Sequence, residues 1–174
     1  FDVAQIACQY GVKPELRAIA GLEGLCLVVE VNGSGIEEGQ LVLLPSVGTW
    51  ATEMIGAIDQ LVPLPEGDLD QLSMLRVNPA TAYLLLTEFV ELNPGDWVIL
   101  SAANSAVGSY IVQLAKARGI NLVCVVRRES AVADLKQAGA NVVLVDGADL
   151  AEQVREATGT EMKLALDAVA GDTA

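Results

Sequence analysis

From residue 97 onward, short apolar runs alternate with segments whose apolar positions recur at helical spacing. The runs "WVILSA", "INLVCVV", "ANVVLVD" and "KLALDAV" read as strands, and "AVGSYIVQLAKARG", "SAVADLKQAG" and "DLAEQVREATG" between them read as helices. Gly119 and Gly139 fall where left-handed caps stop the first two helices. Such alternation with short connections predicts a parallel sheet covered on both faces by right-handed crossovers. This is a Rossmann-type half, whose ligand is expected outside the C-terminal ends of the strands.

The earlier part of the chain has another rhythm. Between Gly21 and about Pro65, "LCLVVEV", "LVLLP" and "SVGTW" are β-rich and are set apart by turn signals such as "NGSG". They predict part of an antiparallel, partly barrel-like β domain. In "NPATAYLLLTEFV", Asn78 and Pro79 suit a helix start, and the apolar residues after them recur at helical spacing. The expected organisation is therefore α/β, with a partial β-rich domain over 1–76, a connecting helix over 77–96 and a partial Rossmann domain over 97–174.

Charge narrows the ligand. The 174 residues carry a net charge of −13, which argues against a non-specific grip on nucleic acid or anionic lipid, since that depends on Lys and Arg displacing counterions. Residues 1–96 hold 3 basic and 14 acidic side chains, net −11, whereas residues 97–174 hold 7 and 9, net −2. An anionic cofactor is expected in the second part. The three cysteines, Cys8, Cys26 and Cys124, are widely spaced and suit free thiols in a reducing compartment. Histidine is absent, which removes the commonest zinc ligand and the commonest general base. No apolar run reaches the roughly 18 residues of a membrane span, and no basic segment precedes an apolar one at the N-terminus. A soluble, intracellular protein is expected.

The candidate chemistry begins in the turn "AANSAVG", between the first strand and helix of the parallel half. A dinucleotide needs small residues there, for a tight turn, for close approach of the pyrophosphate to main-chain N–H groups and for close packing of helix on strand. Ala102, Ala103, Ser105, Ala106 and Gly108 supply them, Asn104 and Ser105 add side-chain donors, and the helix dipole is positive at this end. Any strand-to-helix turn of a parallel sheet uses small residues, so the next strand weighs on the choice. An acidic residue at its end would accept from the ribose 2′-OH of NAD, whereas a basic one accommodates the 2′-phosphate of NADP. "VVRRE" places Arg127 and Arg128 there, favouring NADPH; the plainer alternative is a solvated arginine pair.

With "YGVKPEL", "GLEG", "GTWATE", "VNPATAY", "AANSAVG" and "VVRRE" in this order, the chain resembles the zinc-less medium-chain dehydrogenase/reductases, most closely the 2-enoyl thioester reductases. The resemblance runs along nearly the whole chain. It implies a GroES-like catalytic domain before the Rossmann half, and reduction of the 2,3-double bond of trans-2-enoyl thioesters, carried by CoA or acyl carrier protein, in fatty-acid metabolism. It implies Tyr10 as proton donor, and NADPH contacts from Asn78, from Asn104, Ser105, Ala106, Val107 and Gly108, and from Arg127, Arg128 and Glu129. Trp50 is a candidate wall of the acyl pocket, although a strand-end tryptophan is more often plain packing. The place of a zinc-ligating histidine in the zinc-dependent relatives is Leu22, so no metal is expected. Leu22 and Ser101 also stand where the reductases commonly carry an amide.

Relatives begin earlier and continue later, so the resemblance implies a piece of a longer protein, a homodimer at full length, cytoplasmic if bacterial and mitochondrial if eukaryotic. The chemistry suits these residue types. Hydride addition to the β-carbon of an enoyl thioester creates an enolate, which requires a hydrogen-bond donor at the thioester oxygen and a proton for the α-carbon. A tyrosine hydroxyl stays protonated at neutral pH and can serve as that donor. Two other readings remain open on the residues alone: an NADPH quinone oxidoreductase of the same superfamily, and a non-catalytic nucleotide-binding module.

Overall fold

The computed structural model describes residues 2–11, 13, 15, 17–44 and 48–169. It divides into two units, Phe1–Val77 and Asn78–Ala174. A three-stranded sheet lies in the first and a four-stranded sheet in the second.

The first unit opens with helix α1 (Asp2–Ile6) and contains strands β1 (Leu25–Leu27), β2 (Leu41–Leu43) and β3 (Val62–Pro63), antiparallel in the order β1-β2-β3. β1 is shorter than the apolar run "LCLVVEV". Beyond Leu27 only Val28 keeps pairing, its N–H donating to the Gln40 carbonyl and its carbonyl accepting from Gly39 N–H, at 3.0 and 2.8 Å. The apolar pattern does not foreshadow β3, because Pro63 has no N–H to give to a ladder; an edge strand paired with β2 alone tolerates it. Of the expected strand "SVGTW", residues 46 and 47 lie outside the described residues, and residues 48–50 are not strand. Gly48 and Trp50 instead donate their N–H groups to the carbonyls of Gly21 and Ala20, at 2.7 and 2.9 Å, tying the "GTW" segment to "GLEG". Helix α2 (Leu69–Ser73) starts at Asp68, whose carboxylate accepts from Gln71 N–H at 2.9 Å, and it buries Leu72.

The second unit follows the expected alternation. After helix α3 (Asn78–Thr87) come β4 (Trp97–Leu100), α4 (Ala106–Ala117), β5 (Asn121–Val126), α5 (Val132–Ala138), β6 (Val142–Val145), α6 (Leu150–Thr158) and β7 (Leu164–Leu166). The four strands are parallel in the order β6-β5-β4-β7. Gly119 and Gly139 adopt φ of +69° and +118° at the ends of α4 and α5, the left-handed stops their positions predicted. α5 is entered through a 3-10 turn over Glu129–Ala131, so the regular helix starts later than "SAVADLKQAG" suggests.

In β5 every residue after Asn121 is buried, as befits a central strand covered on both faces. Its Leu122, Cys124 and Val126 join Val98 and Leu100 of β4 and Ile111, Val112 and Ala115 of α4 in one core. Full burial of each Val, Leu or Ile in it contributes about 1.5–3 kcal/mol. α3 packs on α4 through Ala82 and Leu86, while its Tyr83 and Leu84 stay exposed. Burial pushes the Cys124 thiol up to about 12, so at neutral pH it is a packing group rather than a nucleophile.

At the N-terminal ends of β4 and β7 the Asp96 carboxylate accepts from Lys163 Nζ and from Asn93 N–H, both at 2.7 Å. The Lys163 hydrogen bond, then that of Asn93, hold its carboxyl below the ordinary carboxylate value. A depressed folded-state value gives stability that is present above the unfolded value and is lost as pH falls through the folded one. Asp96→Asn should therefore be less stable than the parent at neutral pH, and the gap should narrow as pH drops below about 4. Denaturant unfolding across pH 7 to 2 measures it; a gap independent of pH would rule out the ion pair as its source.

Candidate functional site

The parallel sheet reverses its strand order at β4, which has β5 on one side and β7 on the other. A crevice outside the C-terminal ends is expected at such a point, and a cavity of about 430 Å³ lies there. Strands β4, β5 and β7 and the residue directly after β6 contribute to it. β4 and its turn supply Ile99, Ser101, Ala102 and Asn104; β5 and the residue after it supply Val125, Val126 and Arg127; the residue after β6 and the start of α6 supply Asp146 and Leu150; β7 and the chain after it supply Ala165 to Val169. Among these lining residues Arg127 is the one cation, and Asp146 and Asp167 are the two carboxylates.

The turn after β4 meets the three demands of a phosphate-binding turn with one glycine. Ala102 takes φ +47°, a left-handed conformation that costs a non-glycine residue about 1–2 kcal/mol. Ala103 is fully buried, its N–H on the Val125 carbonyl at 3.3 Å. Ser105 caps α4, its hydroxyl accepting from Gly108 N–H at 3.1 Å. The other first-turn N–H groups of α4 have no intrahelical partner and lie at the positive end of its dipole. Gly108 is the position that admits no side chain. A Cβ there would lie 2.9 Å from Cα and 2.7 Å from the carbonyl carbon of Ala103, and closer still to its oxygen.

Of the expected cofactor residues, Asn104 and Arg127 line the cavity. Ser105, Ala106, Val107 and Gly108 form the cap and first turn of α4 beside Asn104. Arg128 and Glu129 follow Arg127 as exposed residues entering the 3-10 turn before α5. Asn78 opens α3 and is partly buried. In the first unit, Tyr10 follows α1 and is 43% exposed, and Trp50 is 58% exposed, so Trp50 is not a core residue of that unit. Of "YGVKPEL", residues 12, 14 and 16 lie outside the described residues.

Leu22, which the resemblance places at the zinc-ligand position, sits in a loop held by its neighbours. Its carbonyl accepts from Arg76 Nη1 at 2.6 Å, the Glu23 carboxylate accepts from Val77 N–H at 3.0 Å, and the Glu23 carbonyl accepts from Thr49 Oγ1 at 2.9 Å. No group of three or more His, Cys, Asp or Glu that could hold a metal occurs among the described residues.

Sequence reasoning misses the far wall of the cavity. The Ser101 hydroxyl donates to Asp167 Oδ1 at 2.5 Å and accepts from Ala168 N–H at 2.8 Å, while Val169 N–H donates to the same carboxylate oxygen at 3.0 Å. Ser101 thus stitches the end of β4 to the end of β7. The available signal was position alone: Asp146 and Asp167 directly follow β6 and β7.

The same chain has known relatives. A family model described as zinc-binding dehydrogenase matches residues 106–174. The mitochondrial enoyl-[acyl-carrier-protein] reductase of Dictyostelium discoideum is 37% identical over 191 residues, covering 99% of this chain and 53% of that protein. Among solved structures, the mitochondrial 2-enoyl thioester reductase heterodimer Etr1p/Etr2p from Candida tropicalis aligns with a TM-score of 0.87 at 33% identity, over 99% of this chain and 57% of that one. The Etr1p/NADP/crotonyl-CoA complex aligns at 0.86 and 33%, with the same coverage. The chain spans about half the length of the curated relatives it matches. By these matches, over nearly its whole length, the chain belongs to the medium-chain dehydrogenase/reductases, on the branch of the enoyl thioester reductases.

Proposed function

We propose that the protein reduces the 2,3-double bond of trans-2-enoyl thioesters, on CoA or acyl carrier protein, with NADPH. The observation that carries the cofactor half is the cleft: a turn whose Gly108 position a Cβ would fill, with Arg127 on its wall. Such a cradle fits a pyrophosphate, and a guanidinium beside it fits the 2′-phosphate through paired charge-assisted hydrogen bonds. The Etr1p complex with NADP and crotonyl-CoA supports the same reading.

NADPH, when bound, supplies the hydride for the β-carbon of the substrate. The residues of this chain do the rest. Asn104, Ser105, Ala106, Val107 and Gly108 receive the pyrophosphate, Arg127 with Arg128 and Glu129 the adenosine ribose and its phosphate, and Asn78 is assigned to the cofactor through its family position. As hydride arrives, the electron pair of the double bond moves onto the thioester oxygen. Tyr10 donates a hydrogen bond to that enolate and supplies the proton that ends on the α-carbon, leaving a saturated thioester. Trp50 is assigned to the acyl pocket. Relatives named as mitochondrial support a mitochondrial place in a eukaryote, with the cytoplasm as the bacterial counterpart, and the heterodimer supports dimeric assembly.

Calorimetric titration of the chain with NADPH and with NADH tests the cofactor half. NADPH should bind more tightly, and Arg127→Ala should lower its affinity about 10- to 100-fold, the range for hydrogen bonds to charged groups, while leaving NADH affinity nearly unchanged. Equal binding of the two cofactors would overturn it. Turnover is read on the natural gene product that contains this sequence: oxidation of NADPH with crotonyl-CoA is expected, whereas oxidation with quinones alone would move the assignment to the quinone reductases.

A further inference from the structure

We propose that Asp146 reads the adenine ring of the cofactor by accepting a hydrogen bond from its 6-amino group, with Leu150 giving the ring an apolar side wall. The inference rests on the cofactor reading above and goes beyond it, from binding NADPH to selecting its base. Asp146 follows β6 as Arg127 follows β5. The two strands are parallel with Val126 opposite Val145, so the next residues on each, Arg127 and Asp146, stand side by side about 4.8 Å apart along the sheet. The Asp146 N–H donates to the Val126 carbonyl at 2.9 Å, which fixes that register. Both residues line the cavity, and Leu150, in the first turn of α6, lines it beside them.

A carboxylate is out of place against a polyanion unless it faces a donor. Asp146 is partly buried on the cavity wall, and its carboxylate has no hydrogen-bond partner among the described residues. If Arg127 holds the 2′-phosphate, the base on the same ribose extends away from the pyrophosphate turn at β4, across β5 toward β6. The strand order β6-β5-β4 puts Asp146 at that end. Donors within reach of that end are the 6-amino group of adenine and the ribose 3′-hydroxyl. The hydroxyl lies on the sugar, nearer Arg127, and Leu150 beside Asp146 suits a flat apolar ring rather than a sugar.

The test compares NADPH with its hypoxanthine analogue, in which the 6-amino donor is replaced by a 6-oxo acceptor. Binding of the unaltered chain to each is measured by calorimetry. A hydrogen bond to a charged group corresponds to about a tenfold preference or more for NADPH. In Asp146→Asn, whose amide can donate to the 6-oxo group, the preference should collapse or invert. Equal affinity of the unaltered chain for the two cofactors, or a preference that survives in Asp146→Asn, overturns the assignment while leaving NADPH binding in place. Absence of binding to either cofactor would overturn the cofactor reading and this inference with it.

Discussion

Gly108→Ala should lower the melting temperature of the chain and reduce NADPH affinity by more than about tenfold, although it adds one methyl group. Glycine is usually irreplaceable because of backbone conformation, but Gly108 lies in the first turn of α4 with an ordinary helical backbone. Its constraint is steric. The added carbon meets the backbone of Ala103, including its carbonyl oxygen, at distances that real Cβ atoms essentially never show. Ala103 cannot yield cheaply: it is fully buried, its N–H is bonded to Val125, and on either side Ala102 already holds a left-handed conformation and Ser105 N–H is bonded to the Ala102 carbonyl. The helix must move away from the strand, or the turn must open. Overpacking of this kind typically costs about 1–3 kcal/mol. Either movement shifts Asn104 and the Ser105 cap, the groups on which the pyrophosphate is expected to rest. Thermal unfolding and NADPH titration of the variant measure both effects; wild-type values for both would refute the close-packing account.

The second half of the chain was legible because its signals agree. Apolar runs, helical spacing and stop glycines all point to the same strands and helices, and in a parallel sheet those alone set the architecture. The first half carries weaker instructions. β1 and β2 are three residues long, and β3 contains a proline. There the backbone is paired largely by bonds between loops, such as those of Gly48 and Trp50 to Gly21 and Ala20, and loop-to-loop bonds leave no period in the sequence.

The site divides along the same line. Asn104, Gly108 and Arg127 could be placed at the C-terminal end of the sheet because the turn after β4 and the next strand end are fixed by local spacing. Asp146, Leu150 and the Ser101–Asp167 link could not. Ser101 and Asp167 are 66 residues apart and meet only because β7 pairs with β4 on the side opposite β5. Strand order is a property of the whole sheet, and no local pattern encodes it. The resemblance pointed to Ser101 as a missing amide; the structure gives it a bridging role that a serine performs with one hydroxyl as both donor and acceptor.

Tyr10→Phe, made in the natural gene product, should lower kcat for crotonyl-CoA by about 10²- to 10³-fold, as loss of a donor to a developing oxyanion does. NADPH affinity should hold, because Tyr10 is not among the residues lining the cavity to which the cofactor is assigned. In the ground state the thioester oxygen is a weak acceptor, but in the transition state it gathers the electron pair released by hydride addition, so a hydroxyl aimed at it strengthens as the reaction proceeds. An interaction made mainly in the transition state appears in kcat rather than in KM. Phenylalanine keeps the aromatic ring and removes only the hydroxyl. A fall in kcat with unchanged KM, cofactor affinity and stability separates a proton donor from a structural tyrosine. Unchanged turnover would remove Tyr10 from the mechanism while leaving the cofactor cleft as argued, because that cleft stands on Gly108 and Arg127 alone.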